Sequence, residues 1–242
     1  MGEAALWGFI GASSLLVGAA VAFRFTLSRS AVGLIMAFGI GTLIAAISFE
    51  LVVPALQDVA VGEVALGLLA GAGVFFVGDL LIDRLGGGDR KGGEPDEEGS
   101  GTGIVLGTVL DGIPESAVLG MAIATGEGVS VALVGAIWLS NFPESLGSTV
   151  GLLKSGMSKT RVFLMWLAIV AISAISAALG YLIVTESSTL TGALVSAFAA
   201  GALLTMVADE MAPQAYRKAG KTTGILVTLG FILAVALTSL DI

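Results

Sequence analysis

The chain's eleven Lys and Arg residues fall into only four clusters, at 24–29, 84–91, 154–161 and 217–221. Each interval between successive clusters is apolar and long enough for two membrane-crossing helices, at about 20 residues per crossing. The two ends supply one more each. The expected spans are 4–23, 31–56, 62–84, 104–125, 129–152, 160–184, 189–212 and 222–240. Every basic residue then lies on one side, which the positive-inside rule makes cytoplasmic. Loops on the other side hold Asp58, Glu63, Glu127 and Glu186 and no Lys or Arg. The expectation is an all-α, multi-pass protein of the cell membrane, a single transmembrane domain over 1–242 with both termini outside. No cleavable signal peptide is expected, because the first apolar run follows Glu3 without a basic start.

Composition agrees with that class. The chain is 56% hydrophobic and 12% charged, with a mean hydropathy of +1.00. Cysteine and histidine are both absent, which excludes disulfide frameworks, thiolate sites and imidazole sites. A His-based zinc protease or a Ser/His hydrolase is thereby excluded too. An aspartyl protease would need two suitably placed Asp, and the expected depths put Asp111 and Asp209 far apart, so no enzymatic activity is expected. The lipid bilayer is the expected partner and nucleic acid is not. Residues 86–103, rich in Gly and charge, should form a flexible cytoplasmic loop.

Two segments break the apolar pattern at the centre of spans four and five. They are Asp111-Gly-Ile-Pro-Glu-Ser116 and Ser140-Asn-Phe-Pro-Glu-Ser145. A carboxylate at membrane depth is costly and marks a functional site by default. Asp111 and Glu115 are four residues apart and Asn141 and Glu144 three apart, so each pair shares a helix face. The short turn between the spans makes them antiparallel neighbours whose polar faces can meet. Pro114 leaves the carbonyl of Leu110 without its helical partner, and Pro143 does the same for Leu139. These carbonyls need a donor, a water or a cation. Three carboxylates, an amide and two loosened carbonyls form an oxygen-rich cage, with no Lys or Arg in these spans to neutralise it. A divalent cation is the most economical counter-charge. Protonated carboxylates bonded to one another are the alternative.

With those motifs in hand, the chain resembles the ZIP family of divalent-metal transporters. The resemblance covers the eight-helix plan, the loop after helix three and the two Pro-Glu motifs. In the family, helix four typically reads His-Asn-x-Pro-Glu-Gly. Helix five carries a polar pair followed by x-Pro-Glu. The resemblance implies metal ligands at Asp111 (in place of His), Glu115, Asn141 and Glu144. It implies transport of Zn²⁺ or Fe²⁺ toward the cytoplasm, with the ion as cargo and no prosthetic group. Gly112 stands where the family has Asn, and span six has no carboxylate, so one bound metal is expected. An all-oxygen site without histidine is harder than the family's. Mn²⁺, Cd²⁺ and Mg²⁺ become competitors. The same loss of histidine also suits a membrane metal sensor or regulator that does not transport.

An internal similarity adds to this plan. Ala37-Phe38-x-x-Gly41-x-Leu43…Glu50 matches Ala197-Phe198-x-x-Gly201-x-Leu203…Glu210 at a constant offset (197 − 37 = 160), with Pro54 and Pro213 following. The two spans run in opposite directions, as in an inverted-repeat transporter. The expected arrangement is 3+2+3, with spans one to three repeated in six to eight and the four–five pair between. Chance similarity among abundant Ala, Gly and Leu is the alternative. Glu50, Asp209 and Glu210 would serve ion access or release, or else face headgroups and water. Asp79 and Asp83 beside Arg84 read as an interfacial ion pair. Met121 reads as packing, as does Trp138. Gly67-x-x-x-Gly71 and the other small residues allow close helix approach and would also suit a homodimer.

Overall fold

The computed structural model describes residues 1–25, 27–84, 101–124, 131–186 and 189–238. Among the described residues every regular element is helical. The first helices are α1 (Gly2–Arg24), α2 (Arg29–Ala46, continuing through Ile47–Val52 and Val53–Asp58), α3 (Val61–Ile82) and α4 (Gly101–Ala124). They are followed by α5 (Val131–Lys154), α6 (Lys159–Thr185), α7 (Thr189–Met206, continuing through Val207–Met211 and Ala212–Ala219) and α8 (Thr222–Thr238). The loop expected over 86–103 lies outside the described residues, except that α4 already begins at Gly101.

Six of these helices, α1, α2, α3, α4, α6 and α7, are long and apolar enough to cross a membrane. That is compatible with a multi-pass membrane protein. Helix α5 is just as long at 24 residues. Its hydropathy is lowered by Ser140, Asn141, Glu144, Ser145, Ser148 and Thr149, all buried. Helix α8 has 17 described residues. On α3, Leu66, Leu69, Val74, Phe76, Val77 and Leu81 are exposed. A water-soluble protein avoids so large an apolar face, whereas lipid accepts it.

Local sequence explains the ends. Ser28 and Ser158 cap α2 and α6, accepting from the amides of Ala31 and Arg161. Between α2 and α3, the Glu63 carboxylate accepts from the Ala60 amide at 2.9 Å. At the ends that carry the basic clusters, Lys159 Nζ donates to the Phe23 carbonyl at 3.0 Å. This bond ties the start of α6 to the end of α1.

The longest packings pair α2 with α8, α3 with α7, α4 with α6, and α1 with both α5 and α6. Two crossings rest on absent side chains. A Cβ at Gly41 or Gly230 would overlap the backbone of the facing helix, at Val227 and Phe38 respectively. The α3–α7 crossing repeats this, with Gly71 against Phe198 and Gly201 against Leu68. The main apolar core lies among α2, α3, α4, α5 and α7, and includes Ile40, Leu43, Phe75, Leu119, Ile137 and Leu203. Met121 belongs to it, as packing requires. A second core joins α1, α5 and α6 around Trp166.

Helices α2 and α7 share an irregularity that periodicity did not reveal. Both widen to π-helix, over Ile47–Val52 and Val207–Met211. The Val53 amide bonds back to Ser48, and the Ala212 amide to Val207. Each π segment lies just before a proline, Pro54 or Pro213, which strips the i−4 carbonyl of its donor. The wider turn is how the helix absorbs that loss. The two π segments begin at the offset that relates the two sequences (207 − 47 = 160).

Candidate cation site

The polar residues of α4 and α5 are buried in the fold. Asp111 and Glu115 are each 1% exposed, Asn141 3% and Glu144 5%. All four expected ligand residues therefore leave solvent, while among the described residues no Lys or Arg is buried with them. The two motifs meet directly: Ser140 Oγ donates to Glu115 Oε1 at 3.1 Å. The Ile137 carbonyl lies 2.9 Å from the same hydroxyl. One hydroxyl hydrogen has two acceptors within reach, and the carboxylate is the stronger when ionised.

Neighbouring helices close the site. Ser176 Oγ of α6 donates to the Ile113 carbonyl at 2.8 Å, just before Pro114. Ser173 of α6 is buried as well, and a Cβ at Gly112 would meet its hydroxyl at 3.4 Å. On the α5 side, α2 presents Gly39. A Cβ there would lie 2.9 Å from the Leu139 carbonyl, the one that Pro143 releases. Further along α5, Trp166 Nε1 donates to Thr149 Oγ1 at 2.8 Å and fixes α6 against α5. Trp138 is half-buried and stacks on Phe142, with ring centroids 5.9 Å apart.

The expected access residues sit on the two π segments. Glu50 is half-buried and accepts from Thr238 Oγ1 of α8 at 3.5 Å. Asp209 is exposed, and Glu210 is buried. Among the described residues, no three carboxylates stand close enough together to make a ready metal cluster. A cation at α4–α5 would therefore need Asn141, hydroxyls, proline-released carbonyls or water besides its carboxylates. Such a mixed oxygen set suits hard divalent ions.

Sequence reading named Ser140 only as part of a motif, and passed over Thr108, Ser148, Ser173, Ser176 and Gln214, all buried polar residues. For Ser148 and Thr108 the signal was present: they continue the faces of Glu144 and Asp111 at spacings of four and three. No family model matches the sequence, and no curated protein matches it.

Proposed function

We propose that this protein carries divalent metal cations across a membrane toward the cytoplasm, through a carboxylate-lined site between α4 and α5. The observation that carries the reading is the burial of Asp111, Glu115, Asn141 and Glu144 on two helices joined by the Ser140–Glu115 hydrogen bond. Carboxylates so placed, with no buried basic residue among the described residues, are sustained most economically by a visiting cation. The resemblance of both motifs to those of the ZIP family supports the same cargo class, Zn²⁺, Fe²⁺, Mn²⁺ or Cd²⁺.

In this reading all eight helices span the bilayer. The basic ends face the cytoplasm and both termini lie outside. Helices α1–α3 and α6–α8 form an inverted pair around α4–α5. In support, the α2–α8 and α3–α7 crossings exchange under that relation, and the π segments of α2 and α7 do too. Rocking of the repeats about a fixed central site would give alternating access. Glu50 then serves arriving ions, and Asp209 and Glu210 departing ones. The lack of histidine favours a second reading, a membrane metal sensor without flux.

Reconstituted vesicles separate the two. Glu144→Ala should abolish Zn²⁺ uptake while leaving expression intact, whereas a sensor would show no uptake even unmutated. Undiminished uptake by Glu144→Ala would refute the site.

A further inference from the structure

The polar faces of α4 and α5 do not end at their carboxylates. Thr108 lies three residues before Asp111 and seven before Glu115, so all three share one face of α4. On α5, Ser140, Glu144 and Ser148 recur every four residues. Thr108 and Ser148 are both buried. The Ser148 hydroxyl has no hydrogen-bond partner among the described residues. A buried hydroxyl without a partner is costly and calls for an explanation.

The two helices run in opposite directions. Helix α5 turns back into α6 at 155–158, and the Trp166–Thr149 bond joins them just beyond the turn. Helix α6 runs alongside α4 in the same sense, with Ser176 at Ile113 and, further along, Gly120 against Ala177 and Tyr181. From the Glu115–Ser140 bond, the steps to Asp111 and Thr108 and the steps to Glu144 and Ser148 therefore lead toward the same end. That end carries Lys154 and Lys159. In the other direction, Val118, Leu119, Met121, Leu133, Ala136 and Ile137 of these helices are packed into the main apolar core. The site continues as a polar ladder toward the basic end and is sealed by hydrocarbon toward the other.

We propose that the hydroxyls of Thr108 and Ser148 form a step by which a cation held by the carboxylates of α4 and α5 leaves toward the basic end. The proposal rests on the transport reading above. Its chemistry follows from the donors. A neutral hydroxyl replaces one water of a partly dehydrated ion but holds it far less tightly than a carboxylate would. A pathway needs such weak positions, because an ion bound strongly at every step does not leave.

The test uses the full-length protein in vesicles, with Zn²⁺ as the probe. Ser148→Ala and Thr108→Val should each lower maximal Zn²⁺ flux about tenfold, the effect of about 1.4 kcal/mol on a rate-limiting step. KM should change far less. Ser148→Thr and Thr108→Ser, which keep the hydroxyl, should retain flux. Full flux in both Ser148→Ala and Thr108→Val overturns the proposal. Because the chain has no cysteine, Ser148→Cys creates a unique thiol. A water-soluble thiol reagent applied at the basic end should modify it, and Zn²⁺ should slow the reaction. A transporting Ser148→Cys protein that never reacts also overturns the proposal. Glu144→Ala separates the two failures. If it too transports fully, the transport reading falls. If it alone is inactive, only the hydroxyl step falls.

Discussion

The α3–α7 crossing makes a sharp prediction from two glycines on one helix. A Cβ at Gly71 would overlap the Phe198 carbonyl, lie 2.7 Å from its carbon and 3.1 Å from the Ala202 amide nitrogen. All three are backbone atoms, which cannot yield by changing rotamer. At Gly73 an added Cβ meets nothing within 4 Å. Overpacking costs about 1–3 kcal/mol, and rigid neighbours put Gly71→Ala near the upper end. Alanine returns about 1 kcal/mol in helix propensity at either position. Gly71→Ala should thus lose about 2 kcal/mol, and Gly73→Ala should gain about 1 kcal/mol. A gap of about 3 kcal/mol between them corresponds to roughly 6–12 °C in Tm for a chain of this size. Thermal unfolding in detergent micelles, followed by the three tryptophans, reads it directly. Tm values within about 2 °C of each other, or Gly73→Ala as the less stable variant, would refute the crossing.

Other perturbations test the packing around the site. Trp166→Phe removes the donor to Thr149 and leaves a buried hydroxyl. It should cost about 1–3 kcal/mol and lower Tm in the same assay, and an unchanged Tm would contradict that bond. Ser140→Ala deletes the bond that joins the motifs. A hydrogen bond to a charged group contributes about 1.5–3 kcal/mol, so Zn²⁺ affinity by equilibrium dialysis should change about tenfold or more. An affinity equal to the parent's would show that this contact does not organise the site. Pro54→Ala and Pro213→Ala restore an amide beneath each π segment. Each should let the local helix return toward α-register, and a structure of either variant with its π segment intact would contradict the cause assigned to it.

The helices were legible because six of them have the length and apolarity that crossing a membrane requires, and the basic clusters mark turns between helices. Most ends moved little, with α4 beginning at Gly101 and α5 running on to Lys154, but α7 continues to Ala219, well past the end expected at 212. The buried motifs were legible for the converse reason, since Glu115 and Glu144 stand out in apolar surroundings. The irregularities were not. Pro54 and Pro213 are visible in the sequence, but whether a helix answers a proline by kinking, breaking or widening depends on its tertiary neighbours. Thr108, Ser148 and Ser176 were passed over because hydroxyls are common in membrane helices and often bond their own backbone, as Thr42 and Thr205 do here. Only packing distinguishes those from a hydroxyl turned toward a neighbouring helix.

The central claim is that the buried carboxylates of α4 and α5 hold a divalent cation. Crystals soaked in Cd²⁺ and Mn²⁺ and measured for anomalous scattering test it most directly. A peak within about 2.5 Å of oxygens from both Glu115 and Glu144 is the predicted result. Density for both side chains with no ion between them, under conditions where the protein transports, would contradict it.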